Sequence, residues 1–91
     1  MSVTVDCKGI ASVKQFWDRY ERAASVENCG FGRNLDALWD ALEGGGPGWP
    51  DTNHLAFINS RHMEDFEDGM LLLNALREMA TKLTLVKVEF V

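Results

Sequence analysis

Cysteine is scarce in this chain, with only Cys7 and Cys29 among 91 residues. Small secreted domains compensate for a limited core with several bridges, and two cysteines cannot supply such a framework. Two reduced, unrelated thiols are the favoured reading, although a single Cys7–Cys29 bridge stays compatible with the sequence. Long apolar runs are missing too: Met70–Leu73 has four apolar residues, whereas a membrane-spanning helix needs about 20. The opening MSVTVDCKG has no basic segment followed by an apolar core, the pattern of an export signal. The expectation is a cytoplasmic protein with no membrane association. Positive charge is also short, nine Lys and Arg against fourteen Asp and Glu, for a net charge of −5 and a pI near 4.8. With no local basic stripe to offset that balance, direct binding to nucleic acid is excluded as an expectation.

The motifs of catalysis are equally absent. His54 and His62 are the only histidines, and no CxxC or HxxxH spacing brings them or the cysteines into a zinc-binding pattern. No nucleophile elbow or Cys-His spacing is present. Gly44-Gly45-Gly46 is not followed by a helix carrying Lys-Ser or Lys-Thr, so it is not a phosphate loop. No catalytic residue, metal or cofactor is expected, and the chain reads as a non-enzyme.

What is present is a globular composition, 46% apolar and 25% charged, enough for one packed domain spanning residues 1–91. Ser2–Asp6 alternates in polarity and ends at Lys8-Gly9, predicting a short strand and turn. Val13, Phe16, Trp17, Tyr20, Ala23 and Ala24 then recur at helical spacing, after a Ser12/Gln15 capping-box pair. Residues 26–33 form a loop. Asn34 is a good N-cap for a second helix, on which Leu35, Leu38, Trp39 and Leu42 share a face, and Gly44 fits its C′ position. Residues 44–50 (GGGPGWP) read as the most mobile loop. His54–Asn59 reads as a buried strand, Met63 and Phe66 as one or two helical turns after a Ser60 cap, and residues from Asp68 to Leu83 as a long helix. Thr84–Val91 alternates as a closing strand. Strand–helix–strand crossovers in this order favour a parallel three-stranded sheet packed with helices, an α/β fold.

The second helix carries the one charge pattern that stability does not explain. Opposite its leucines stand Asp36, Asp40 and Glu43 at i, i+4 and i+7, with no lysine or arginine on the helix. Like charges at i,i+4 destabilise a helix by roughly 0.2–0.5 kcal/mol per pair. Asp36 in the first turn gains from the helix dipole, whereas Glu43 in the last turn is disfavoured by it. The row is either a merely solvated face or a surface that meets a basic partner. A short helix facing solvent lacks the pocket that splits the pKa values of catalytic carboxylates. Trp17 and Trp39, on apolar helix faces, are expected in the core. Trp49, in the glycine-rich loop beyond the acidic helix, is either an interface anchor or folded back onto the core.

The run Phe31-Gly32-Arg33-Asn34-Leu35-Asp36-Ala37-Leu38-Trp39-Asp40 resembles the central motif of the barstar family, aromatic-Gly-x-Asn-Leu-Asp-Ala-Leu-Trp-Asp. The likeness extends more loosely along nearly the whole chain, including a long helix with Leu76-Arg77-Glu78. It implies a barstar-like fold and inhibition of an extracellular guanyl-type ribonuclease, from inside the producing cell, in a tight 1:1 complex that occludes the active site. Asp40 would then take the position of the scissile phosphate, Asp36 would be a neighbouring contact, and Glu78 a further charged contact on the last helix. Phe31, Gly32, Arg33, Asn34, Trp39, Glu43, Gly44 and Trp49 complete the expected partner-binding surface. The chain departs from the family pattern at Gly30-Phe31, where two adjacent tyrosines are usual, and at Gly45, where a large aromatic is usual. Those losses suggest a different ribonuclease, with Trp49 a candidate replacement. The alternative is an acidic interaction domain, antitoxin-like or regulatory, for another basic nuclease or nucleic-acid-binding protein.

Overall fold

A computed structural model describes residues 2–91. In chain order the elements are β1 (Val3–Asp6), α1 (Val13–Ala24), α2 (Leu35–Gly44), β2 (His54–Ile58), a 3-10 helix (Ser60–Asp65), α3 (Glu67–Ala80) and β3 (Lys87–Phe90). The three strands form one parallel sheet in the order β1-β2-β3, the expected α/β architecture. In register, Val5 lies beside Phe57 and Phe57 beside Phe90.

Side chains alternate across a strand, so Val3, Val5, Leu55, Phe57, Val88 and Phe90 share one face, and that face meets the core. Thr4, Asp6, His54, Ala56, Lys87 and Glu89 share the other. This second face is open to solvent apart from Ala56 and carries its own ion pairs, His54 to Glu89 at 3.2 Å and Lys87 to Glu89 at 3.4 Å. Parallel sheets usually have helices on both faces. Here they pack on one, which explains why the outer strands carry charge at alternate positions.

The helices follow from their sequence signals. Ser12 caps α1 by accepting the Gln15 N–H, and the Gln15 side chain accepts from Ala11 N–H at 2.7 Å, one residue earlier than a standard capping box. Phe16, Trp17 and Tyr20 of α1 are buried. Phe16 stacks on Phe57 at 5.6 Å and Phe57 on Phe90 at 5.5 Å, while Trp17 and Tyr20 continue the aromatic cluster to Phe31 at 5.6 and 5.4 Å. Such pairs each add about 0.5–1.5 kcal/mol beyond area burial. Glu67 and Asp68 occupy the first turn of α3, where the helix dipole favours them.

Four local expectations are corrected. The last strand begins at Lys87, not Thr84, because Thr84 and Leu85 direct their N–H groups to the Glu43 carboxylate rather than to a neighbouring strand. Ser60 does not cap: its hydroxyl donates to the Val91 carbonyl, and Asn59, with φ of 54°, begins the 3-10 helix without a side-chain cap. Gly44 remains helical, and Gly45, with φ of 70°, takes the left-handed C-terminal position. The glycine loop, expected to be the loosest segment, is tied down. Gly46 N–H donates to the Asp40 carbonyl and Trp49 N–H to the Gly46 carbonyl, both at 3.1 Å. The buried Tyr20 hydroxyl donates to the Gly48 carbonyl at 2.8 Å, and Gly48 and Pro50 are buried.

Candidate functional site

The site is built around α2, which is anchored at both ends. At its start, Asn34 accepts the Ala37 N–H at 2.8 Å and donates through its amide to the Gly32 carbonyl at 3.2 Å. An N-cap of this kind contributes about 0.5–2 kcal/mol. Gly32 fits because a Cβ there would stand 3.0 Å from the Ala37 Cβ. Arg33 adopts φ of 55° and turns back to α1, where its guanidinium binds Asp18 at 2.6 Å, Glu21 at 2.5 Å and the Lys14 carbonyl at 3.1 Å. The Arg33 hydrogen bond, the Lys14 ammonium bonded to the same carboxylate and both positive charges hold the Asp18 carboxyl below its ordinary range. Phe31 is buried against Trp17 and Tyr20, so it supports the site from inside instead of offering its ring to a partner.

At the other end Glu43 leaves the acidic row. Its carboxylate accepts from Thr84 N–H at 2.8 Å, Thr84 hydroxyl at 2.7 Å and Leu85 N–H at 3.4 Å, bolting α2 to the segment before β3. The Thr84 bonds hold the Glu43 carboxyl below its ordinary value of 4.5. A carboxyl whose pKa is lowered by folding adds stability above the unfolded value, and that stability disappears as the pH falls through the folded value. Glu43→Gln should therefore flatten the decline of the urea midpoint on acidification below pH 4.5. An acid-side slope identical to that of the parent would contradict the assignment.

Asp36 and Asp40 remain exposed, one helical turn apart, with no hydrogen-bond or ion-pair partner among the described residues. Arg33, the only cation between residues 27 and 43, is committed to α1. A rigid helix thus presents two uncompensated carboxylates, an arrangement suited to a cationic surface. Beside them, Leu35, Asp36 and Trp39 of α2 face Ala75, Glu78 and Met79 of α3, with Lys82 beyond its end, across an open groove of about 340 Å³. Glu78 pairs with Lys82 at 3.5 Å. The groove brings together Asp36, Trp39 and Glu78, three expected site residues that lie far apart in sequence. Asp40, Gly44, Trp49 and Phe31 do not line it.

Residues 1–91 match the family model described as barstar (barnase inhibitor). The chain belongs to the barstar family. No curated protein matches it. The barstar family is one of ribonuclease inhibitors, so its members act by binding, and the described residues of this one hold no cluster of three or more potential metal ligands. The thiols are free, Cys29 exposed and Cys7 buried. Burial, together with the Asp6 carboxylate, pushes the Cys7 thiol up to about 11, keeping it protonated at neutral pH. His54 bonds Glu89, and His62 accepts the Gly9 N–H at 3.2 Å. No helix among the described residues is long and apolar enough to cross a membrane.

Trp39 sits differently from its sequence pattern, and Trp49 takes one of the two placements that its loop left open. Trp39 is not core: Leu38, Ala41 and Leu42 take the buried centre of the α2 face, and Trp39, at its flank, is half-buried in the groove. Trp49 is half-buried and packs on the core. Sequence reasoning passed over Lys82, whose only signal was its i,i+4 spacing from Glu78.

Proposed function

We propose that this barstar-family chain inhibits a guanyl-type ribonuclease by laying α2 across the enzyme's active site, in a 1:1 complex formed in the cytoplasm of the producing cell. Asp40 takes the place of an RNA phosphate and faces the cations that hold it. Asp36 is the neighbouring contact, Trp39 and Glu78 extend the surface across the groove, and Gly32, Asn34 and Gly44 shape its ends. The observation that carries the reading is the pair of exposed, unpartnered carboxylates at Asp36 and Asp40 on a helix fastened at both ends.

The chemistry supports this without further machinery. A site that cleaves RNA must be cationic to retain phosphate, and a preorganised carboxylate forms charge-assisted hydrogen bonds with the same donors. Because the helix is already fixed, little conformational freedom is lost on docking. The net negative charge of the chain steers it towards such a cleft and makes the association rate fall with ionic strength. Glu43 and Arg33 act from behind, holding the ends of α2 in place.

A panel of purified guanyl-type ribonucleases, assayed with increasing protein, tests the proposal. At least one enzyme should titrate to full inhibition with an equimolar end point. Unimpaired activity across the panel would contradict it and favour another basic protein as the partner.

A further inference from the structure

The α2–α3 groove is not uniformly acidic. Asp36 and Glu78 contribute carboxylates, Leu35, Trp39, Ala75 and Met79 form its apolar surface, and Lys82 places an ammonium on the same rim. Lys82 follows the last turn of α3, where its backbone N–H still donates to the Met79 carbonyl at 2.9 Å. Its ammonium, 3.5 Å from Glu78, is the only cation lining the groove among the described residues, and its side chain is 65% exposed.

We infer that Lys82 is a specificity-determining residue: it selects ribonucleases that bring a carboxylate or neutral acceptor over the end of α3 and disfavours those whose cationic surface continues there. The inference rests on the inhibitory reading of α2. In the free protein the ammonium is the counter-charge of Glu78. A partner cation that reaches Glu78 displaces it, leaving the ammonium at the edge of a closing interface. Opposite a second cation it is repelled and loses water without compensation, whereas opposite a carboxylate it forms a new pair and completes an alternating network with Glu78. The long, flexible lysine stem allows that exchange of partners. Asp36 and Asp40 provide attraction common to all phosphate-binding clefts. Lys82 adds the repulsive element on which discrimination between similar partners depends.

The test measures Kd for the parent, Lys82→Ala and Lys82→Glu against the most and least tightly inhibited ribonucleases of the panel. Asp40→Ala serves as a separate variant for the underlying reading. The ratio of the two dissociation constants should shrink by about tenfold in Lys82→Glu, with Lys82→Ala between, because the favoured enzyme loses a pair and the disfavoured one loses a repulsion. A ratio that is unchanged or larger would overturn the inference. If Asp40→Ala abolishes inhibition while the Lys82 variants leave the ratio unmoved, only the role of Lys82 falls. If the parent inhibits no member of the panel, both readings fall.

Discussion

Asp40→Ala should weaken inhibition by about 2 kcal/mol or more, roughly a thirtyfold rise in Kd, while leaving the fold intact. The two halves of this expectation have separate physical causes. Asp40 is exposed and bonds to no other side chain among the described residues, so its removal creates no cavity and orphans no group within the protein. Asp40→Ala also places a better helix former within α2 and removes an i,i+4 repulsion with Asp36, which should raise stability by a few tenths of a kcal/mol. In the complex, the same change leaves the enzyme's phosphate-binding cations desolvated and unpaired. Asp40→Asn retains the shape and loses the charge, so it should fall close to the alanine variant. Asp36→Ala should have a smaller effect because Asp36 is the neighbouring contact. Titrations of ribonuclease activity together with urea denaturation measure both quantities, and a simultaneous loss of stability and binding would contradict the assignment of Asp40 to the partner.

Gly48→Ala should destabilise the protein by about 2–4 kcal/mol, far more than an ordinary loop substitution. Gly48 has φ of +100°, a region unfavourable to any side chain, and a Cβ there would stand 2.4 Å from a ring carbon of Phe31. Neither neighbour can yield cheaply. Phe31 is packed against Trp17 and Tyr20, and the Gly48 carbonyl receives the Tyr20 hydroxyl at 2.8 Å. Displacing that carbonyl leaves a buried hydroxyl without an acceptor, a loss of about 1–3 kcal/mol. Urea denaturation of the variant is the measurement. A free energy of unfolding within about 0.5 kcal/mol of the parent would show that the loop is not fixed in this way.

Much of the fold was legible because its signals are local. The apolar face of α1, the Ser12 and Asn34 caps and the alternation of β1 depend on residues a few positions apart, and the structure places them accordingly. Apart from the one-residue shift of the α2 end from Gly44 to Gly45, the errors involve partners distant in sequence. Glu43 reads as one member of an acidic row because its actual partners include the backbone N–H groups of Thr84 and Leu85, which leave no mark on residue identity. The same bonds take Thr84 and Leu85 out of the predicted strand. Phe31 and the glycine loop are fixed by mutual packing across the fold, so composition alone made the loop look loose. Trp39 has helical spacing suited to the core, but only the placement of α3 shows that the flank of α2 opens into a groove. At the site, Asp36 and Asp40 were visible as a helical charge pattern. The proximity of Asp36 to Glu78 and Lys82 is a property of tertiary structure.

The central claim is that α2 occupies the place of RNA phosphate in a ribonuclease cleft. Its most direct test is competition between this protein and a guanosine monophosphate for the active site of an inhibited ribonuclease, followed by calorimetry. Mutual exclusion is expected: the apparent Kd of the protein rises linearly with free nucleotide concentration, and saturating protein releases all bound nucleotide. A ternary complex, with nucleotide retained and the protein's Kd unchanged, would contradict it.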